Sequence, residues 1–235
     1  MKIAIIQPCF IPWLGYFEQM LVADIFVYLD DVQYTKKDWR NSNQLKSPNG
    51  VKKLSVPVSN ASRNININEA LISYNSNWED KIINQIKEWY KKAPFCEEIL
   101  NLITTTINNK YERLVDLNYN LNKRIANYLD IKTPCYFSST IDREAEEKNL
   151  RILEICKYFP GIEVLYDGKS AANFLDTQLF NENGIEVIFQ NYTHTPYQQL
   201  WGDFKPYMSI IDLIMNNNPL KSKEILSSSP LPKEL

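Results

Sequence analysis

Two short apolar runs near the start of the chain, KIAII at 2–6 and IFVYL at 25–29, bracket an amphipathic stretch, GYFEQMLVAD at 15–24. This pattern constrains the fold more than any other feature. Runs of that length suit buried strands, and the segment between them suits one helix. Apolar strands joined through a helix lie parallel in one sheet with a right-handed crossover. The front of the chain therefore predicts a βαβ unit and an α/β fold, Rossmann-like, with a mostly parallel sheet.

The connection inside that unit is unusual: QPCFIPWLGY at 7–16 carries two prolines, a tryptophan and a glycine. Proline stiffens the backbone, glycine permits close approach, and Trp13 and Tyr16 offer aromatic surface. In open α/β sheets ligands collect beyond the carboxyl ends of strands, where a helix N-terminus favours an anion. Gln7, Pro8, Trp13, Gly15 and Tyr16 are thus candidate binding residues for a nucleotide or sugar phosphate. A rigid core loop in which Trp13 and Phe17 simply pack is an equal alternative. The glycine spacings of a dinucleotide fingerprint and of a P-loop are both absent.

A second cluster, YLDDVQYTKKDWRNSNQLK at 28–46, follows the second strand. Asp30 and Asp31 are candidate proton acceptors and Asn41 a candidate oxyanion donor. Tyr34, Lys36, Lys37, Trp39, Arg40 and Asn43 supply cations, amides and rings for binding a phosphorylated ligand. A solvated loop has similar composition, but its place directly after an apolar strand favours function. Adjacent acids in an extended stretch point to opposite sides, so no metal site is expected. The single histidine, His194 in NYTHTPYQQLWGDF, is a candidate general base because imidazole titrates near neutrality, although base rates favour an ordinary loop residue. Cys9 reads as a packed thiol before a nucleophile, and Asp212 as a buried acid that braces the site loops.

The rest of the chain divides into four parts. Residues 1–76 form an N-terminal α/β part for nucleotide or sugar binding, ending in VKKLSVPV as an edge or antiparallel strand, SNASRNININ as a loop and ALISY as one more strand. Helical spacing over 77–93, 95–109 and 111–130 marks a helical insertion or subdomain at 77–132. Residues 133–225 return to the sheet through TPCYFSS, EVLYDG and IEVIFQNY, with helices in EAEEKNLRILEICKYF and SIIDLIMNN, and 226–235 is a loose tail.

With 235 residues, 44% of them hydrophobic, the chain can bury one substantial core. No apolar run approaches the roughly 20 residues of a membrane span, and no signal peptide is evident, so a cytoplasmic location without membrane insertion is expected. The four cysteines lack CxxC spacing and suggest neither zinc nor a disulfide framework. A net charge of −2, with both signs interspersed, gives duplex nucleic acid no general attraction.

QPCFIPWLGYFEQM, ADIFVYLDDVQYTKKDWRNSNQLK, SVPV, NWEDKIINQIKEWYKKAPF and MSIIDLIMNN, in that order, resemble the WbqC-like protein family across nearly the whole chain. The resemblance implies a place in the biosynthesis of bacterial O-antigen or other surface polysaccharides and an activity as a glycyl or related aminoacyl transferase. The family pattern K-x-x-W-x-N-R-N is met at Trp39, Asn41 and Asn43. Ser42 stands where the arginine is expected, so a role for that arginine does not carry over to Arg40. The first loop is also distantly similar to the H-x-G-H turn of nucleotidylyltransferases, but PWLGYF has no histidine to stabilise a phosphoryl transition state.

The combined expectation is an acyl or aminoacyl transferase acting on the amine of a nucleotide-linked amino sugar, held between the first two strand-end loops. Asp30, Asp31 or His194 would take the amine proton. No bound cofactor is expected. The acyl donor is a carrier-protein thioester, an aminoacyl-tRNA or an amino acid with ATP. A non-catalytic sugar-nucleotide-binding or assembly protein of the same pathway is the first alternative, and a nucleotidyl or glycosyl transferase the second.

Overall fold

The computed structural model describes residues 1–62, 64–232 and 235. Strand β1 (Lys2–Ile6), helix α1 (Leu14–Val22) and strand β2 (Ile25–Tyr28) form the βαβ unit, and β1 and β2 pair in parallel from Ile3 opposite Ile25 to Ile6 opposite Tyr28. An antiparallel hairpin of β3 (Ser42–Ser47) and β4 (Gly50–Ser55) follows, then α2 (Trp78–Tyr90), α3 (Cys96–Ile107) and α4 (Leu114–Tyr128). The chain continues through β5 (Cys135–Phe137), α5 (Lys148–Tyr158), β6 (Val164–Asp167), α6 (Thr177–Glu182) and β7 (Glu186–Phe189), and ends with α7 (Ile210–Asn216) and α8 (Pro219–Ser227). The main sheet is parallel throughout, in the order β5-β2-β1-β6-β7. The chain winds outward from β1 in one direction and from β6 in the other, so the connections leaving these two neighbours diverge. That divergence opens a crevice beyond their carboxyl ends.

Alternation along the strands feeds two cores. Ala4, Phe26 and Tyr28 face α1, the helices α2 to α4, and α7 and α8, while Ile3, Ile5 and Val27 face α5 and α6. The helices of 77–132 are inserted in chain order between β2 and β5, yet Ile82, Ile86, Ile103, Leu121 and Ile125 share one continuous core with Phe17 and Met20 of α1. They form a layer against the sheet. Among the described residues no helix is long and apolar enough to cross a membrane.

Three segments differ from expectation. ALISY makes only isolated bridges, Ile72 with Val58 and Leu71 with Arg113, instead of a strand. SNQLK, read as part of the loop after the second strand, lies in β3; Ser, Asn and Lys favour strands weakly, and tertiary burial overrides them, with Asn43 and Lys46 both buried. Helix α8 was unexpected: Pro219 occupies its first turn and the Asn218 side chain accepts from Lys221 N at 2.8 Å. Leu226 is fully buried in it and Ser229, two residues past its end, is buried and accepts from Thr193 N at 2.8 Å, so the first residues of the tail expected to be loose from 226 are packed. Arg63 in the expected loop, and Lys233 and Glu234 in the expected tail, lie outside the described residues.

Candidate functional site

A cleft of about 600 Å³ opens beyond the ends of β1 and β6. Ile6, Gln19 and Gln190 form its floor, Asp167, Gly168, Lys169 and Ser170 one wall, and Trp13, Tyr192 and Tyr207 the other, with Trp39 and Asn43 at the side. Trp13 is the centre of an aromatic group: its ring centroid lies 5.5 Å from Tyr192, 5.5 Å from His194 and 5.8 Å from Tyr207.

The loop 7–13 is held carbonyl by carbonyl. Cys9 Sγ donates to Gln7 O, Asn118 Nδ2 to Pro8 O, Asn122 Nδ2 to Cys9 O, and Asn43 Nδ2 to Phe10 O, at 3.1 to 3.4 Å. Ser209 Oγ donates to Ile11 O at 2.6 Å, and Ile210 N to Pro12 O at 2.8 Å. Asn118 and Asn122 are one turn apart on α4, so the helical layer grips the loop with a single face. This satisfies a buried run of acceptors that no strand or helix takes up. It also holds Ile11 at φ 35°, a conformation that a β-branched residue adopts only under strong constraint. Gly15 has a separate purpose. The Trp13 indole folds back over the first turn of α1, and any Cβ at 15 would collide with its six-membered ring.

The aromatic wall is tied to the core in the same way. Asp212, buried in α7, accepts from Tyr90 OH at 2.6 Å and Tyr197 OH at 2.8 Å, and Lys46 Nζ donates to Gly202 O at 3.1 Å and Asp203 O at 2.5 Å. Asp212 thus fastens the segment leading to Tyr207, the bracing role expected of a buried acid there.

Asp167 is the acid of the cleft. It ends β6, its Oδ1 accepts from Gly168 N at 2.6 Å, and burial raises its carboxyl to about 6 against the opposing pull of that N–H and of the Lys148 ammonium. Such a group changes protonation close to neutral pH. Under the floor, Glu18 accepts from Tyr166 OH at 2.9 Å and from Gln190 Nε2, and burial raises its pKa although both hydrogen bonds oppose the shift. Burial depresses His194 to about 4, so its imidazole is neutral at pH 7 and a weak base. Burial pushes the Cys9 thiol up to about 12, which leaves it protonated and unreactive. Among the described residues no three His, Cys, Asp or Glu side chains converge to hold a metal ion.

Of the residues singled out in the sequence, Cys9, Trp13, Tyr16, Trp39 and Asn43 line this cleft. Pro8 and Gly15 are buried beside it, Gln7 follows Ile6 at its edge, and His194 stands behind its aromatic wall, 4.4 Å from the Tyr207 ring. The rest lie elsewhere. The cleft opens on the β6 side of β1, whereas Asp30 and Asp31 emerge on the β2 side, where Ser138 Oγ donates to both, Ser139 N and Oγ hold Asp30, and Arg143 pairs with Asp31. Tyr34 is core, Asn41 Nδ2 donates to Val56 O at 2.8 Å, Arg40 pairs with Asp38 at 2.7 Å, and Lys36 and Lys37 are exposed. The residues that sequence reasoning missed, Asp167, Lys169, Gln190, Tyr192 and Tyr207, follow the later strands. An acid and a glycine closing the apolar run EVLYDG was the one available signal.

The signature of the WbqC-like protein family matches residues 7–224. The chain is similar to the uncharacterized protein Rv1507c of Mycobacterium tuberculosis, 35% identical over 219 residues that cover 92% of this chain and 93% of that protein. No solved structure matches it.

Proposed function

This chain belongs to the WbqC-like protein family, and from that premise we propose that it is a cytoplasmic transferase of O-antigen or other surface polysaccharide biosynthesis, moving an acyl or aminoacyl group, glycyl among the candidates, to the amine of a nucleotide-linked sugar. The observation that carries the reading is Asp167: a half-buried carboxyl with a pKa near 6, at the strand end of a cleft walled by aromatic rings. The sugar amine attacks the acyl carbonyl, the new C–N bond forms, Asp167 accepts the proton released from nitrogen, and the donor's thiol or oxygen leaves with the C–S or C–O electron pair. Trp13 and Tyr192 offer surface for the base or sugar ring, and Lys169 offers its ammonium to the diphosphate. Asp167 suits the proton-accepting role better than His194, whose basicity is too low, or Asp30 and Asp31, whose oxygens are engaged beside β5. The donor is a carrier-protein thioester, an aminoacyl-tRNA or an amino acid activated with ATP.

Thermal shift against nucleotide-linked amino sugars, followed by product analysis with each donor class, tests the reading. Asp167→Asn retains the shift and loses turnover; an undiminished turnover in that variant sinks it. A second reading, sugar-nucleotide binding without catalysis, is favoured by the protonated Cys9 thiol, which leaves the cleft without a cysteine nucleophile. It predicts a thermal shift in the absence of product with any donor.

A further inference from the structure

The two outer sides of the β3-β4 hairpin are unlike. On the β3 side, Gln44 O accepts from Ser209 N at 3.0 Å and Lys46 N donates to Tyr90 OH at 3.2 Å, so the outward main-chain groups there meet the start of α7 and the end of α2. On the other side β4 has no strand neighbour. Residues that stand opposite each other in an antiparallel pair turn their main-chain groups either both towards the ladder or both away from it. Gln44 and Lys46 turn theirs away, so Lys53 and Val51, which stand opposite them, present an N–H and a C=O each on the free edge, and Ser55 does the same two residues on. All three residues are exposed.

Beside this edge a hollow of about 470 Å³ lies between β4 and the first two turns of α2, with no β3 residue in its lining. Leu54, Trp78 and Ile82 give it apolar surface. Lys53 and Lys81 line it, no carboxylate does, and neither lysine has an ion-pair partner among the described residues. The hollow is thus positive on a chain whose net charge is −2. A bare strand edge offers donors and acceptors at the repeat of another extended chain, and the side chains of that chain select it. A second copy of this protein is a poor match, because pairing edge to edge would gather Lys52 and Lys53 of both copies, and like charges across a ladder destabilise it.

We propose that the free edge of β4 and the hollow beside it dock an extended acidic segment of a partner protein, which adds as a third strand. Side chains alternate along such a strand: apolar ones settle by Leu54 towards Trp78 and Ile82, and acidic ones stand beside Lys53. Lysines on an edge also defend it against aggregation, but that defence has no need of an apolar hollow. This docking is independent of the chemistry proposed for the cleft.

Fluorescence anisotropy of the full chain with two labelled eight-residue peptides tests it, one alternating valine with glutamate and the other valine with lysine. The wild type is expected to bind the glutamate peptide roughly 5- to 30-fold tighter than the lysine peptide. Lys53→Glu combined with Lys81→Glu, both at exposed positions, inverts that order. Amide hydrogen exchange supplies the position: bound glutamate peptide protects Val51, Lys53 and Ser55, whose N–H groups face away from β3 in the free protein. Equal binding of the two peptides, binding of neither, or protection confined to other residues overturns the docking site. Protection of the same three amides by self-association without peptide also overturns it, in favour of a second copy on the edge.

Discussion

Replacing Gly15 by alanine sets two local effects against each other. Alanine in the first turn of α1 should gain up to about 1 kcal/mol of helix propensity over glycine. The new Cβ would stand 2.7 Å from Trp13 Cζ3 and closer still to Cη2 and Cζ2, a clash that the helix backbone cannot relieve. The indole must swing away, giving up its contacts with Tyr192, His194 and Tyr207. At about 0.5–1.5 kcal/mol for each of the three ring pairs, the loss is roughly 1.5–4.5 kcal/mol, so packing outweighs propensity and Gly15→Ala destabilises by about 0.5–3.5 kcal/mol. Urea unfolding measures this directly. Trp13→Ala supplies the complementary arm of a double-mutant cycle: once the indole is gone, Gly15→Ala turns stabilising, by up to about 1 kcal/mol. Were Gly15→Ala to stabilise the protein with Trp13 present, the account of this loop would fail, because the glycine would no longer be there for the ring.

Other consequences are open to measurement. The single histidine gives one imidazole C2–H resonance, expected to titrate near pH 4, and a midpoint at 6.5 would refute its burial behind Tyr192 and Tyr207. Because the folded pKa lies below the unfolded one, stability declines as pH falls from 6.5 towards 4, and His194→Gln should flatten that slope. Asp167 has the opposite sign. The folded state holds its proton up to about 6 while an unfolded aspartate releases it at 3.8, so stability falls as pH climbs through that window. Asp167→Asn is therefore expected to be more stable than the wild type at pH 8, by on the order of 1–3 kcal/mol, with the difference vanishing below pH 4 in urea titrations. Asp212→Ala strands the hydroxyls of Tyr90 and Tyr197 and should cost about 2–4 kcal/mol, and a change under 0.5 kcal/mol would show that Asp212 is not the anchor of this segment.

The legible part of the molecule was the part dictated by local pattern. KIAII, IFVYL, EVLYDG and IEVIFQNY alternate or run apolar at strand length, and each became a strand of the parallel sheet. The long amphipathic repeats at 77–130 became α2, α3 and α4. Polar segments were harder. Ser42 to Ser47 are mostly poor strand formers, and only pairing with β4 and burial under the helices make them β3, an effect absent from any short window.

The site divides along the same line. By its residues alone, QPCFIPWLGY announced a stiff aromatic connection at a strand end, and the chain that contains it announced an α/β sheet with ligands collecting there. Which neighbour completes the cleft was decided by strand order. The placement of β6 beside β1 brings Asp167 and Gln190, some 150 and more residues away in sequence, against Trp13 and Gln19, while Asp30 and Asp31, at the head of the dense polar run after β2, lie beside β5 and are spent on Ser138, Ser139 and Arg143. Residue types and local spacing are written in the chain; protonation is not. Burial lifts Asp167 towards neutrality and drives His194 away from it, because the cost of charge depends on what surrounds the group, and only the folded structure supplies those surroundings.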